Sequence, residues 1–370
     1  MTDINALLSR QSSVGRWSGI GPYYAMFPVP FAFHAIEKYT QPGDFVLDPF
    51  AGRASSIYAA AALGRTGCGI EINRVGWLYG KVKLNPAAKD DVENRIDSVA
   101  RYARRIVTEE VANLPEFFSH CYAPDTLRFL LAARRILQWK KNSVDATLMA
   151  IILVHLHGKA GSAFSNQMRQ GKAMSPQYSI RWWQAKGFRP PEMDPSEFLK
   201  RKLVWRYAKG TPIMTQSAVI FGDSSRVLSQ MRGNNPAPQY DFLFTSPPYY
   251  AITDYHYDQW LRLWMLGNQP LPLHGGGDSK GRFQSQLYYY NLLRKVFSDS
   301  AQLLKPGASL LIRTDARPFT FSTTINALRE AFPDKTIDVM ERPFEGKTQT
   351  ELYGDKTKKP GERDILLKPK

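Results

Sequence analysis

"QPGDFVLDPFAGRASSIYAAAALGRTGCGIEIN", Gln41 to Asn73, is the stretch that decides the fold. Pro42-Gly43 is a turn, and the apolar run Phe45 to Leu47 that follows reads as a buried strand. A tight loop around Gly52 leads into Ser55 to Leu63, an alanine-rich segment with helical propensity. Gly64 to Thr66 stops that helix, and Gly67 to Ile72 forms a second strand. A strand, a helix and a strand in so short a span make one βαβ unit, and such units build parallel sheets. The expected class is therefore α/β.

Downstream, the alternation stops for well over a hundred residues. Val92 to Val111 places Ile96, Val99, Ala103, Ile106 and Val107 on one helical face. Thr126 to Trp139 and Ser143 to Leu156 also carry helical patterns, so this region is an α-rich insertion. Between Gly158 and Gly210, eleven lysines and arginines meet only three acids, an excess of +8 in one segment. Tyr178, Trp182, Trp183, Phe188 and Trp205 are interleaved with those charges. Sheet patterning resumes at "SAVIFGDSS" (Ser217 to Ser225) and Phe242 to Thr245. A helix around Tyr288 to Leu304 follows, then "KPGASLLIRTD" as turn plus strand and "KTIDVMERPF" as a further strand. The layout expected is a core half over 20–90, the insertion over 91–215, a second core half over 216–350, and a polar, partly disordered tail over 351–370.

The 370 residues are 43% hydrophobic, enough for a substantial core, and carry a formal net charge of +16, which favours a polyanionic partner. Cys68 and Cys121 lack metal-ligand spacing and are too few for a disulfide framework, so no metal and a reducing cytoplasm are expected. The N-terminal stretch has no basic-then-apolar signal pattern. Ala146 to Leu156, the longest apolar run, falls short of the roughly 20 residues needed to span a bilayer, so no membrane association is expected.

In an open α/β sheet, ligands bind outside the carboxyl ends of the strands. The loop Asp48-Pro49-Phe50-Ala51-Gly52 follows the first strand and lets backbone approach a ligand closely. Glu71 ends the second strand, where a carboxylate can accept both hydroxyls of a ribose. Asp223 ends the next strand, within reach of an adenine amine. Tyr240 to Tyr250, "YDFLFTSPPYY", is an apolar strand stopped by two prolines that cannot donate backbone hydrogen bonds. It builds a rigid elbow with a hydroxyl and an aromatic beside it.

"VLDPFAG", "GIEIN", "FGDS" and "TSPPYY", in that order, resemble the cofactor and catalytic motifs of amino-group DNA methyltransferases that use S-adenosylmethionine. "YYAMFPVPFAFHAIEKYTQPGD", just upstream, resembles the motif these enzymes place at the methionine end of the cofactor. The resemblance implies a Rossmann-like class I methyltransferase sheet interrupted by the α-rich insertion. It also implies cofactor contacts from Phe27, Pro28, Asp48, Phe50, Ala51, Gly52, Glu71, Ile72, Asp223, Ser224 and Thr245. One departure stands out: a second glycine is common two positions after Gly52, and here Arg53-Ala54 follows. Alanine preserves close approach but resists positive φ.

The implied catalytic set is Ser246, Pro247, Pro248 and Tyr249. An exocyclic base amine is a poor nucleophile because its lone pair is delocalised into the ring. Ser246 Oγ and the Pro247 carbonyl would accept its two hydrogens and favour a pyramidal nitrogen, with Tyr249 stacked on a base flipped out of duplex DNA. Serine at the first position favours cytosine N4; adenine N6 is the alternative, and a non-catalytic nucleic-acid-binding protein on the same fold is the rival of another class. The basic segment is the candidate DNA-recognition region, with Arg181, Lys186 and Arg189 on phosphates and the aromatics stacking or wedging. Asp254, His256 and Asp258 lie close behind the motif, and a proton acceptor among them is conceivable. The glycine loop Leu271 to Phe283 is a candidate cover for the substrate. A restriction or defence partner is compatible with such an enzyme.

Overall fold

In the computed structural model, residues 2–22, 28–234, 236–251, 255–272, 285–342 and 361–370 are described. Short helices α1 (Ile4–Leu7) and α2 (Ser13–Ser18) precede α3 (Val29–Tyr39), which begins at Pro28. The decisive stretch then folds as read: β1 (Phe45–Asp48), α4 (Ser55–Ala62) and β2 (Thr66–Glu71), followed by α5 (Arg74–Leu84). The insertion consists of α6 (Lys89–Ala103), α7 (Thr108–Ala112), α8 (Phe117–Cys121), α9 (Pro124–Ile136), α10 (Ser143–His155), α11 (Pro176–Lys186) and α12 (Pro195–Tyr207). Next come β3 (Ala218–Phe221), α13 (Ser224–Arg232), β4 (Tyr240–Thr245), α14 (Tyr255–Asp258) and α15 (Trp260–Met265). The remainder is α16 (Gln286–Ala301), β5 (Leu304–Asp315), α17 (Pro318–Ala331), β6 (Lys335–Arg342) and β7 (Glu362–Pro369).

The strands form one seven-stranded sheet in the order β3-β2-β1-β4-β5-β7-β6. Strands β1 to β5 pair in parallel, whereas β7 is antiparallel to both β5 and β6. This is a Rossmann-like, doubly wound sheet, and its order reverses between β1 and β4, where ligands bind in such folds. Side chains alternate across the sheet, as strand geometry requires. Val46, Phe242 and Phe244 face the larger core, shared with α3, α4, α5 and the insertion. Leu47, Ile70 and Leu243 face the other core, formed with α13, α16 and α17. No described helix is long and apolar enough to cross a membrane. The run predicted as a core helix is α10, in which every residue from Asp145 to Val154 is buried. A helix apolar all round has no face to give to water.

Two sequence expectations need correction. The single helix over Val92 to Val111 is two, α6 and α7, with Arg104 to Val107 between them. More consequential is the supposed polar tail: residues 362–369 are β7, a strand inside the sheet. Ile365, Leu366 and Leu367 are buried, and the flanking charges are spent on partners from other strands. Asp364, 1% exposed, accepts a two-pronged bond from Arg313 at 2.7 and 2.8 Å and another from Arg342 at 2.9 Å. Paired charges of this kind can be buried, and composition alone does not show the pairing.

Candidate active site

At the switch point, the carboxyl ends of β1 and β4 are bonded to each other. Asp48 Oδ1 accepts the Thr245 hydroxyl at 2.6 Å and the Phe50 N–H at 3.0 Å, while Oδ2 accepts the Ser56 hydroxyl. Burial pushes the Asp48 carboxyl up to about 6 despite these three bonds. Thr245 is fully buried and Asp48 nearly so. Both are expected cofactor contacts from the sequence, and their side-chain bonds join β1, α4 and β4.

Glu71 lies at the end of β2 and accepts the Asn73 N–H at 2.6 Å, with the Gly52 and Ile72 amides also bonded to it. Its burial outweighs those bonds, and the Asp48 charge adds to the effect, so the carboxyl is pushed up to about 8. Gly52 has φ +54, and a Cβ placed there would meet nothing within 4 Å, so the loop crest faces open space. Underneath, α5 lets the loop settle closely. A Cβ at Gly76 would lie 2.6 Å from the Gly52 carbonyl, and one at Gly80 would lie 2.9 Å from the Ala54 methyl. Ala54 itself adopts the left-handed conformation that alanine resists, with φ 57 and ψ 45, and is fully buried. Such backbone costs roughly 1–2 kcal/mol and persists where packing over-determines it.

The β3 end joins the same edge. Asp223 caps α13, its carboxylate accepting the Ser225 N–H at 3.0 Å and hydroxyl at 2.7 Å. Ser224 donates to the Pro49 carbonyl, and the Gly222 N–H donates to the Glu71 carbonyl at 3.1 Å. The loops after β1, β2 and β3 are thus one bonded rim. Ala51 is buried within it, Phe50 is half-buried, and Ile72 is 50% exposed, an apolar side chain open beside Glu71. Pro28 is exposed at the start of α3; Phe27 lies outside the described residues.

Strand β4 ends at Thr245, as the prolines dictate, and Ser246 to Tyr249 emerge at the same edge. Pro247 is buried, fixing the elbow, whereas Ser246, Pro248 and Tyr249 are half-buried. The Tyr249 hydroxyl donates to Glu362 Oε1 at 2.9 Å, at the start of β7. Burial, reinforced by the Glu362 charge, holds the Tyr249 phenol well above its ordinary range, so it stays protonated. Tyr250 turns the other way, into the α16–α17 core, with its ring 4.7 Å from Phe319. Ala251 follows with φ 57; it and Ala54 are the non-glycine residues of positive φ among those described, and both flank this edge. His256 is half-buried in α14; Asp254 and most of the glycine loop (273–284) lie outside the described residues.

Arg181, Lys186 and Arg189 are exposed on α11 and just beyond it, and none of the ion pairs among the described residues engages them. The neighbouring aromatics divide. Trp183 is fully buried, its Nε1 donating to the Gln167 carbonyl at 2.6 Å and its ring 5.6 Å from Phe117. The expectation that it stacks on or wedges between bases is therefore corrected: it is core. Trp182 is half-buried against Phe188, while Tyr178 and Trp205 are exposed. The segment leading into α11 is fastened to α14, α15 and the residue between them. Gly171 accepts from Gln259 at 3.1 Å, Ala173 donates to Asp258 at 3.1 Å, and Met174 accepts from Trp260 at 3.2 Å.

Sequence reasoning missed Glu362, Arg313 and the Gly76/Gly80 pair. The glycines carried a legible signal, four residues apart in a helical stretch directly after β2. Glu362 carried none, because its partner is 113 residues away.

A family model described as DNA methylase matches residues 4–75, which include the β1 loop and Glu71. The chain is also similar to the type II methyltransferase M.MthZI of Methanothermobacter thermautotrophicus, 32% identical over 93 residues, a stretch covering 25% of this chain and 23% of that relative. Among solved structures, the rRNA methyltransferase AviRa from Streptomyces viridochromogenes aligns at 13% identity and a TM-score of 0.35, over 99% of this chain and 93% of that one. A SAM-dependent methyltransferase from Agrobacterium tumefaciens aligns at 11% and 0.36, over 92% and 61%.

Proposed function

We infer that this chain, matched by the DNA methylase family over residues 4–75, is an S-adenosylmethionine-dependent DNA methyltransferase acting on an exocyclic base amine, cytosine N4 in preference to adenine N6. One observation carries the reading. The Ser246-Pro247 elbow emerges from β4 at the switch point, bonded through Thr245 and Asp48 to the loop that Glu71 and Gly52 complete. The donor set fits a nucleoside cofactor: Glu71 is an acceptor for paired hydroxyls, Ile72 an apolar surface for a ring, and Gly52 an open backbone crest. When bound, S-adenosylmethionine supplies an electrophilic methyl group on a sulfonium.

The chain's own residues do the rest. Ser246 Oγ and the Pro247 carbonyl accept the two amine hydrogens, so the nitrogen lone pair is turned out of conjugation. The prolines hold those acceptors in place, which puts the rate gain into positioning and fixed dipoles. Tyr249 offers a ring face to the base. A base inside a duplex cannot present its amine to two fixed acceptors at a strand end, so it must flip out. Arg181, Lys186 and Arg189 carry phosphate contacts. Serine at the first motif position is the feature that favours cytosine.

The test is mass spectrometry of nucleosides from mixed-sequence duplex DNA incubated with the protein and cofactor. N4-methylcytosine supports the full reading, and N6-methyladenine corrects the target base. DNA without new methylation, or methyl groups appearing on RNA alone, overturns it.

A further inference from the structure

Ser246 is asked to accept a hydrogen from the base amine, yet a hydroxyl is equally a donor, and an undirected one spends part of its time pointing its own hydrogen at the substrate. Something must take that hydrogen. The Tyr249 phenol, three residues on, is the group the Ser246 hydroxyl acts on, favouring the deprotonated phenol against its burial, but a phenol is ambivalent too. What removes the ambivalence is Glu362, whose Oε1 accepts the phenol proton at 2.9 Å. With its hydrogen given to Glu362 Oε1, the phenol oxygen is left to accept, so the chain runs in one sense: Ser246 to Tyr249 to Glu362.

We propose that Glu362 is a positioning residue for methyl transfer, fixing the direction of the Tyr249 and Ser246 hydroxyls so that the free lone pairs of Ser246 face the base. Glu362 is itself held. Arg313 NH1 lies 3.4 Å from Glu362 Oε2, and the same guanidinium is anchored on Asp364 and sits 3.5 Å above the Phe31 ring of α3. Glu362 faces Asp315 across the β5–β7 pairing, at the carboxyl end of β5 and on the same edge as Ser246. The assignment rests on the role given above to Ser246, and the test keeps the two apart.

The full chain is compared with Glu362→Ala, Glu362→Gln, Tyr249→Phe and the double variant Tyr249→Phe/Glu362→Ala. At saturating DNA, Glu362→Ala is expected to lower kcat about tenfold, the usual weight of one charge-assisted hydrogen bond, with cofactor affinity and Tm unchanged. Glutamine, which keeps an acceptor oxygen, should recover most of that loss. The double variant should be no slower than Tyr249→Phe alone, because both break one chain. Unchanged turnover in Glu362→Ala, or losses that multiply in the double variant, overturns the proposal. Should the wild type methylate no DNA, the functional reading fails by itself. The hydrogen bond is then read directly by fluorine NMR on fluorotyrosine-labelled protein, with the Tyr249 signal identified by its loss in Tyr249→Phe. That signal must move in Glu362→Ala, and a stationary signal refutes the bond.

Discussion

Glu71 is poised against its own charge. If it accepts both ribose hydroxyls, it must be ionised in the complex, yet burial holds its carboxyl at about 8 in the free chain. Cofactor binding near neutral pH should therefore release a proton. Affinity should rise with pH, by up to about tenfold per unit, and level off above roughly pH 8. Calorimetry in buffers of different ionisation heat measures that proton, and an affinity indifferent to pH would remove the ribose role. Stability moves the opposite way. The folded value exceeds the ordinary 4.5, so the native chain holds more protons between about 4.5 and 8, and stability falls as pH rises through that window. Ser246→Ala makes the complementary residue-scale test. Losing an acceptor aimed at the transition state costs about 3 kcal/mol, roughly a hundredfold in turnover, with cofactor affinity intact. Equal turnover would dismiss Ser246.

Helix α11 turns Arg181 and Lys186 outward and Trp183 inward, and its variants should divide likewise. Neutralising Arg181, Lys186 and Arg189 should weaken DNA binding and leave cofactor binding alone. Three lost phosphate contacts flatten the slope of log affinity against log salt by roughly 2.7 on duplex DNA. A folded triple variant with the parent slope would move the interface elsewhere. Trp183→Ala, by contrast, should cost about 3–5 kcal/mol of stability, read by denaturant titration, since it empties a packed and hydrogen-bonded position. The sequence showed the charge excess and the aromatics but not which tryptophan faced inward, because Trp182 and Trp183 are adjacent and only the register of α11 against α8 separates them. Local elements were legible where local physics decides them. The Pro42-Gly43 turn, the alanine-rich α4 and the proline stop after Thr245 all stand where the residues put them. Ala54 shows the limit: its left-handed backbone packs against α5, whose glycines lie more than twenty residues downstream.

For the molecule as a whole, β7 is the part least visible in sequence and most exposed to test. Its charges read as a solvated tail; its partners on β5 and β6 make it interior. Deleting residues 362–370 should therefore yield insoluble or unfolded protein rather than a trimmed, folded chain, because Ile365 to Leu367 leave both cores and Arg313 loses Asp364. Circular dichroism melting decides, and a soluble, cooperatively melting truncation would show that β7 is dispensable. The α/β class, the interrupted sheet and the order of the site motifs were all readable from 41–73 and 217–250. The pairing of β5 with a strand about fifty residues further on was not, since it is a long-range choice that no window of sequence contains.

The insertion also sets a clock. β1 finds β2 within about twenty residues, but its other edge pairs with β4, and the Asp48–Thr245 bond that closes the site spans 197 residues. At synthesis rates of about 5–20 residues per second, that edge waits roughly 10–40 s for its neighbour. Helices fold on far shorter times. The insertion can thus be complete and packed while the sheet is still half built, leaving a nascent chain whose unpaired strand edge offers the cell a window for chaperone capture or for aggregation.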